Sequence, residues 1–323
     1  MDSSLILEIL SNSDEYVSGQ ALAGQLGVSR QAVWKEIKAL RARGYEIESV
    51  TNRGYRLTAM PGYLNAAAVK AALRTAVLGC ELTVLDSVGS TNDHLKAMGD
   101  KGCKSGTVVA AREQVSGKGR LGRTWQSRKD ENLMFSFLLR PKMPPSEAAC
   151  VTPLTGLAVC KALREFTGLD CRIKWPNDII VGRKKLCGIL TEMSAEFDAV
   201  NYLVTGVGIN VDQARFPDDI AAKATSLFSE TGVHFDKNRL LAAVLERLEK
   251  EFLRHDMALS PQALEEYSSL CATLGRNVGF TRGGRALEGR AEGIDPSGAL
   301  IVTLQDGTSL SVGSGEVTAQ GIY

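Results

Sequence analysis

The sequence predicts an α+β multidomain protein, with an N-terminal winged helix-turn-helix over 1–62, a central mixed α/β domain over 65–270 and a C-terminal β-barrel over 271–323. Three observations predict it. The chain has 323 residues, where about 150 per domain is usual, so more than one core is expected. The hydrophobic texture changes at Met60-Pro61-Gly62 and again near Asn277. Charge is segregated: 38 Lys and Arg against 37 Asp and Glu leave a net of +1, yet residues 1–28 carry four acids and no base, and residues 29–56 carry seven bases and three acids.

Composition excludes several classes. Hydrophobic residues at 44% and charged residues at 23% rule out disordered, collagen-like and disulfide-scaffold chains. No apolar run reaches the ~18 residues of a membrane span, and no basic segment leads into an apolar stretch as in a signal peptide, so no membrane partner is expected. The seven cysteines contain no C-x-x-C pair, which argues against a zinc site and a disulfide framework and for a cytoplasmic location.

In the first unit, Gly19 to Leu26 reads as a short helix, Gly27 takes the left-handed turn, and Ser29 caps a second helix running to about Arg43. The helix-turn-helix covers about 19–38. Val33, Ile37 and Leu40 make the buried stripe of the second helix, with Gln31, Lys35 and Lys38 opposite; Trp34 is expected in the small core. Tyr45, Ile47 and Ser49 alternate before a turn at Asn52-Arg53-Gly54, and Tyr55 to Leu57 returns, which outlines a wing. This pattern places Ser29, Arg30, Gln31, Lys35 and Lys38 at a DNA groove, with wing Arg53 on phosphate.

After a linker near 60–65, a helix is expected over Asn65 to Arg74. Strands are expected over Glu81–Ser87, Thr107–Arg112, Leu133–Leu139, Cys171–Lys174, Leu186–Glu192 and Tyr202–Gly208. Helices are expected over about 146–166, broken near Pro153, and over 237–254, capped by Asp236. Beyond Asn277, short alternating runs between turns such as Asp295-Pro296-Ser297-Gly298 predict the barrel.

The chemistry is concentrated in a few motifs. Gly117-Lys118-Gly119-Arg120-Leu121-Gly122-Arg123-Thr124-Trp125 matches G-x-G-x-x-G, but the polar stretch from Arg123 to Asn132 is not the apolar helix that a dinucleotide fold requires. Residues 112–129 hold six bases and one acid, a composition suited to closing over phosphate or carboxylate. Lys174-Trp175-Pro176-Asn177-Asp178 ends one strand, Lys184 and Lys185 open the next, and Gly206-Val207-Gly208-Ile209-Asn210 ends a third. Ser90-Thr91-Asn92 follows a strand, where it could also be only a helix cap, and Asn210 could be a buried, backbone-bonded amide.

In their order, these motifs resemble the bacterial biotin protein ligases of the bifunctional kind that also repress the biotin operon. The shared features run through the whole chain: winged helix, S-T-N, the basic glycine loop, K-W-P-N-D, K-L-x-G-I-L, G-x-G-I-N and the terminal barrel. The resemblance implies a central domain of the class II synthetase/biotin–lipoate ligase type and an SH3-like barrel. It implies that biotin and ATP, supplied as MgATP, give biotinyl-5'-AMP, whose biotin passes to one lysine of a biotin carboxyl carrier protein, usually in acetyl-CoA carboxylase. By motif position, Ser90, Thr91, Asn92, Gln114, Lys118, Gly119, Arg120 and Lys185 contact biotin, with Lys185, Arg120 and Lys118 catalytic. Arg123, Trp125, Asn177, Asp178 and Asn210 fall to the nucleotide, and no resident metal is assigned. It further implies a homodimer, promoted by biotinyl-AMP, on operator DNA. The family usually has Arg where this chain has Lys118, so a planar bidentate donor becomes a point charge. A ligand-sensing repressor with an inactive ligase core is opposed by Lys185 and the basic loop. A lipoate-type ligase is opposed by K-W-P-N-D, the barrel and the DNA-binding arm.

Overall fold

The computed structural model describes residues 3–11, 13, 15–42, 45–59, 62–313 and 317–323. The texture break at Met60-Pro61 and the expected helix end at Arg43 lie outside them.

The N-terminal unit is built from α1 (Ser3–Ser11), α2 (Gly19–Leu26), α3 (Arg30–Ala42), β1 (Glu46–Val50) and β2 (Gly54–Ala59). Ser18 caps α2 by accepting the Ala21 N–H at 3.0 Å, Gly27 is left-handed at φ 65°, and the Ser29 hydroxyl accepts the Ala32 N–H at 3.2 Å. Ile6, Leu10, Leu22, Val33, Ile37, Leu40 and Ile47 close a separate small core. Trp34 is not in it. It is 55% exposed, because Val33, Ile37 and Leu40 already fill the inward stripe, and Lys38 one turn on places its ammonium 5.6 Å from the indole. The wing is locked to the segment just before α2 through paired Val17–Tyr55 backbone bonds of 2.8 and 2.9 Å.

α4 (Ala66–Ala72) starts at Asn65, whose side chain accepts the Ala68 N–H at 2.9 Å, and it stops before the expected Arg74 because Leu73 is extended. In chain order there follow β3 (Leu82–Leu85), α5 (Thr91–Asp100), β4 (Val108–Ala111), β5 (Gly117–Lys118), β6 (Thr124–Trp125) and β7 (Asn132–Leu139). Then come α6 (Val151–Thr167), β8 (Cys171–Lys174), β9 (Asp178–Val181), β10 (Lys184–Ala195) and β11 (Val200–Asn210), followed by two short helices, α7 (Asp218–Ala221) and α8 (Leu227–Thr231), and by α9 (Lys237–Arg254) and α10 (Pro261–Leu270). A seven-stranded sheet in the order β3-β4-β7-β11-β10-β9-β8 carries the central domain; β3 and β4 are parallel and the other neighbours antiparallel.

Two expectations are corrected here. The helix near 146–166 is not broken at Pro153: a 3₁₀ turn at Ala148–Cys150 leads into α6, and Pro153 sits in its first turn, where the missing N–H costs no helical bond. Strand β9 was not anticipated, since four residues between two polar turns carry too little alternation to read. α9 starts and ends as expected, with Asp236 accepting N–H groups of Asn238 and Arg239.

The C-terminal unit is a five-stranded antiparallel sheet in the order β15-β14-β13-β12-β16, formed by β12 (Asn277–Arg282), β13 (Arg285–Ile294), β14 (Leu300–Leu304), β15 (Ser309–Val312) and β16 (Val317–Ala319). Its Val278, Phe280, Leu300, Val302 and Ile322 belong to the same apolar core as Leu154, Ile179 and Leu245, so it is welded to the central domain. Trp175 forms the seam: its backbone N–H donates to Thr273 Oγ1 at 3.0 Å and its indole N–H to the Gly298 carbonyl at 2.9 Å.

The wing depends on Gly54, which has φ 113° and whose added Cβ would stand 2.1 Å from the Val17 carbonyl oxygen. Gly54→Ala is therefore expected to destabilise the N-terminal unit by about 2–4 kcal/mol while sparing the central core. Hydrogen exchange should show the loss as faster exchange confined to α1 through β2.

Candidate active site and DNA-binding face

Between the start of α5, the β5–β6 hairpin and the strands β10 and β11 lies a cavity. Ser90, Thr91, Asn92, Gln114, Lys118, Gly119, Arg120, Trp125, Asn177 and Lys185 all line it, so most of the motif residues converge from five separate stretches of chain. The floor is glycine. Gly188 on β10 pairs with Gly208 on β11, and a Cβ on either would come within 3.1 or 2.7 Å of the Trp125 indole; a Cβ on Gly206 would stand 2.3 Å from Asn92 Oδ1.

One wall is a polar network. Gln114 Oε1 accepts both the Thr91 N–H at 2.7 Å and the Thr91 hydroxyl at 2.9 Å, which leaves Nε2 as the group it can offer a ligand. Ser136, buried on β7, places its hydroxyl 2.7 Å from Thr91 Oγ1 and 2.6 Å from Asn92 Oδ1. Asn92 Nδ2 donates to Glu192 at 2.7 Å. Ser90 caps α5 and also lines the cavity, so its capping and ligand readings coexist. This wall presents fixed amide and hydroxyl groups suited to a neutral polar ring.

The opposite wall is cationic. The hairpin is pinned by Gly119 N–H to the Arg123 carbonyl at 2.7 Å, and Arg120 donates to Asn177 Oδ1 at 2.9 Å. Lys118 pairs with Asp93 Oδ2 at 2.7 Å. Burial opposes ionisation of Asp93, but its bonds to Lys118 and Lys96 outweigh that and hold the carboxyl below its ordinary range. Lys185 Nζ stands 2.7 Å from Asp178 Oδ1, an ion pair rather than an aligned hydrogen bond. The buried Trp125 indole N–H has no hydrogen-bond partner among the described residues, which leaves a donor at the cavity wall.

Three expected nucleotide residues are not in this lining: Asn210, Arg123 and Asp178, the last of which meets it only through Lys185. Asn210 is 4% exposed and donates to the Thr225 carbonyl at 2.9 Å, so it is the backbone-bonded amide that fixes the end of β11. Arg123 lines an adjoining hollow along the hairpin, together with Leu121, Thr124 and Glu192. Arg112, counted among the loop cations, is committed to structure: it grips Asp130 through Nε and Nη2 at 2.7 Å each, Asp86 through Nη1 at 2.7 Å, and stacks 4.1 Å from Tyr63. Residues that sequence reasoning missed are Ser136 and Glu192, and the floor glycines, though within the quoted motifs, were given no role of their own. A serine within the run Leu133 to Leu139 and glycines within apolar strands were the available signals; Glu192 offered none. Among the described residues the one grouping of Glu and His side chains able to share an ion is Glu251, His255 and Glu266, outside this lining and already crosslinked by Lys161.

On the N-terminal unit, Ser29, Arg30, Gln31, Lys35 and Lys38 are all exposed along α3, as is Arg53 on the wing. Arg53 and Arg56 stack on Tyr16 at 4.6 and 4.9 Å. Arg41, also exposed, donates to the Ile47 carbonyl at 2.8 Å and so ties α3 to β1.

Three stretches match known families: residues 3–56 the HTH domain, 84–210 the biotin/lipoate A/B protein ligase family, and 273–318 the biotin protein ligase C-terminal domain. The chain therefore combines a DNA-binding head with a biotin ligase body. It is 35% identical to a bifunctional ligase/repressor BirA of Bacillus spizizenii over 94% of each chain, and 31% identical to that of Escherichia coli over 97% of this chain and 95% of the relative. A solved biotin protein ligase from Aquifex aeolicus, in complex with biotin and ATP, superimposes with a TM-score of 0.63 at 30% identity, covering 75% of this chain and 99% of that one. The chain belongs to the bifunctional ligase/repressor BirA family. Among the described residues, no helix is long and apolar enough to cross a membrane.

The Arg112–Asp130 pair closes the base of the basic glycine loop, and the bond from Arg112 holds the Asp130 carboxyl below its ordinary value. A depressed carboxylate stabilises the fold above the unfolded value of about 3.9 and loses that contribution as pH falls through the folded one. Arg112→Met should therefore cost about 1 kcal/mol at neutral pH, allowing for screening at a partly exposed pair, and the gap to the parent should narrow below about pH 4. Urea denaturation across that range checks it; a pH-independent gap would assign the loss to the Tyr63 stacking instead.

Proposed function

We propose that the glycine-floored cavity is where biotin and ATP react, with Thr91, Asn92 and Gln114 on the ureido ring and Lys118, Arg120 and Lys185 on the reacting anions. The supporting observation is that three cationic side chains and the α5 polar network line one cavity. Adenylation brings a carboxylate against a triphosphate, and the repulsion between them is the barrier that fixed cations lower. A biotin carboxylate oxygen attacks the α-phosphorus, the bond to the β-phosphate oxygen breaks, and pyrophosphate leaves. In the second step the uncharged amine of a carrier lysine attacks the acyl carbon of biotinyl-5'-AMP, an amide forms and AMP departs. Ser90 and Gly119 complete the biotin side; Trp125 and Asn177 serve the nucleotide side, Arg123 faces the adjoining hollow, and Asp178 orients Lys185. Asn210 acts only by holding β11.

The acceptor is a biotin carboxyl carrier protein, and the site of action is the cytoplasm. The boundaries of the DNA-binding, ligase and barrel units are placed at 1–62, 65–270 and 271–323. Lys185→Ala is expected to lower biotin-dependent ATP–pyrophosphate exchange by about 10²–10³-fold. Incubation of the parent with biotin, MgATP and a carrier domain should add one biotin by intact mass, and should not do so for the variant. Parental exchange in Lys185→Ala would remove Lys185 from the catalytic role.

For the repressor activity, the reading is that biotinyl-AMP orders the loops, favours a homodimer and presents two α3 helices to a two-fold operator, Lys35 and Gln31 at bases and Arg30, Lys38 and Arg53 at phosphates. Operator binding should then need less protein when biotin and ATP are both present than with either alone. Gel-shift titration with sedimentation reads both effects, and equal half-saturation in all conditions would refute the coupling.

A further inference from the structure

The terminal barrel reaches the catalytic lysine through one side chain. The Tyr323 hydroxyl donates to Asp178 Oδ2, while the other oxygen of the same carboxylate is 2.7 Å from Lys185 Nζ. Tyr323 is itself fastened: its backbone N–H donates to the Arg183 carbonyl at 3.1 Å, its neighbour Ile322 is buried, and Lys174 holds its ammonium 3.4 Å from the ring centre. Lys174 is the cross-strand partner of Asp178. The two carboxylate oxygens thus face different partners, a neutral hydroxyl from the barrel and the ammonium that lines the cavity.

We propose that Tyr323 is a positioning residue for adenylate formation, acting through Asp178 on Lys185. A carboxylate on a single side-chain torsion can swing, and a second fixed donor stops that motion and sets the plane in which Oδ1 meets Lys185. The hydroxyl also withdraws part of the carboxylate charge, so Lys185 is held in place without being bound too tightly to shift to an incoming carboxylate or phosphate. The cation over the ring favours donation by the O–H. Tyr323 is not among the residues that line the cavity.

This inference rests on the reading of Lys185 as the cation of adenylation. The test uses the full chain with Tyr323→Phe, which keeps the ring over Lys174 and the backbone bond to Arg183. The turnover of biotin-dependent pyrophosphate exchange should fall by about tenfold, the loss expected for one bond to a charged group, while biotin affinity, the thermal midpoint and transfer from preformed biotinyl-AMP stay at parental values. In an Asp178→Asn background, where no carboxylate charge holds Lys185, Tyr323→Phe should add nothing further. Unchanged exchange in Tyr323→Phe, or the same fold loss in both backgrounds, overturns the proposal, the latter by marking a merely structural contact. Lys185→Ala separates the two readings: retained exchange there defeats the underlying assignment, whereas its loss beside a parental Tyr323→Phe defeats this inference alone.

Discussion

The site depends on what the sheet lacks. In the middle of a seven-stranded sheet, side chains ordinarily cover each face, yet Gly188 and Gly208 meet side by side and Gly206 lies two residues away. Removing three side chains from adjacent strands leaves bare backbone onto which the Trp125 indole and the Asn92 amide descend. A methyl group at any of the three would displace a lining residue, so the glycines define the depth of the cavity before any charged group enters the account. Glycine within a strand carries an entropic cost, which is tolerated here because β10 and β11 are long, paired over nine positions, and buried between neighbours.

Upon that floor the charges are arranged in local pairs. Lys118 is matched by Asp93, Lys185 by Asp178, and Arg120 by the Asn177 amide oxygen. Each cation is thereby held near the cavity, Lys118 and Lys185 each beside a carboxylate and Arg120 by a neutral amide oxygen. A substrate anion can take over an ammonium by exchange, so the cost of ordering long side chains has been met by the fold. The Lys at position 118 suits such an exchange better than it suits a rigid bidentate grip.

Local signals explain which parts were legible. The capped amphipathic α9, the α2–turn–α3 pair and the motif cations could be read because each depends on residues within one or two turns of chain. Pro153 misled because proline breaks a helix interior but not its first turn, and the four residues of β9 carry no period. Trp34 misled for a different reason: burial is decided by the stripe already complete beside it, not by hydrophobicity alone. Asn210 shows the limit of motif transfer, since the amide stands at the expected position but its donor is spent on Thr225. Tyr323 lies 145 residues from the carboxylate it binds, and no local pattern can announce such a contact.

The two flanking units are attached by different physics. The barrel shares one continuous apolar core with the ligase domain, so its strands cannot move without opening that core. The winged unit closes a core of its own, against which Ala67 of α4 packs, and Asn65 adds polar ties: it caps α4, its side-chain oxygen lies 2.8 Å from the Tyr45 hydroxyl, and its N–H donates to Asn238 in the first turn of α9 at 2.8 Å. Polar contacts of this kind are individually worth about 1 kcal/mol, far less than a shared core. The barrel is therefore fitted to act on the catalytic geometry itself, whereas the DNA-binding head can keep its fold while the body binds, reacts and releases.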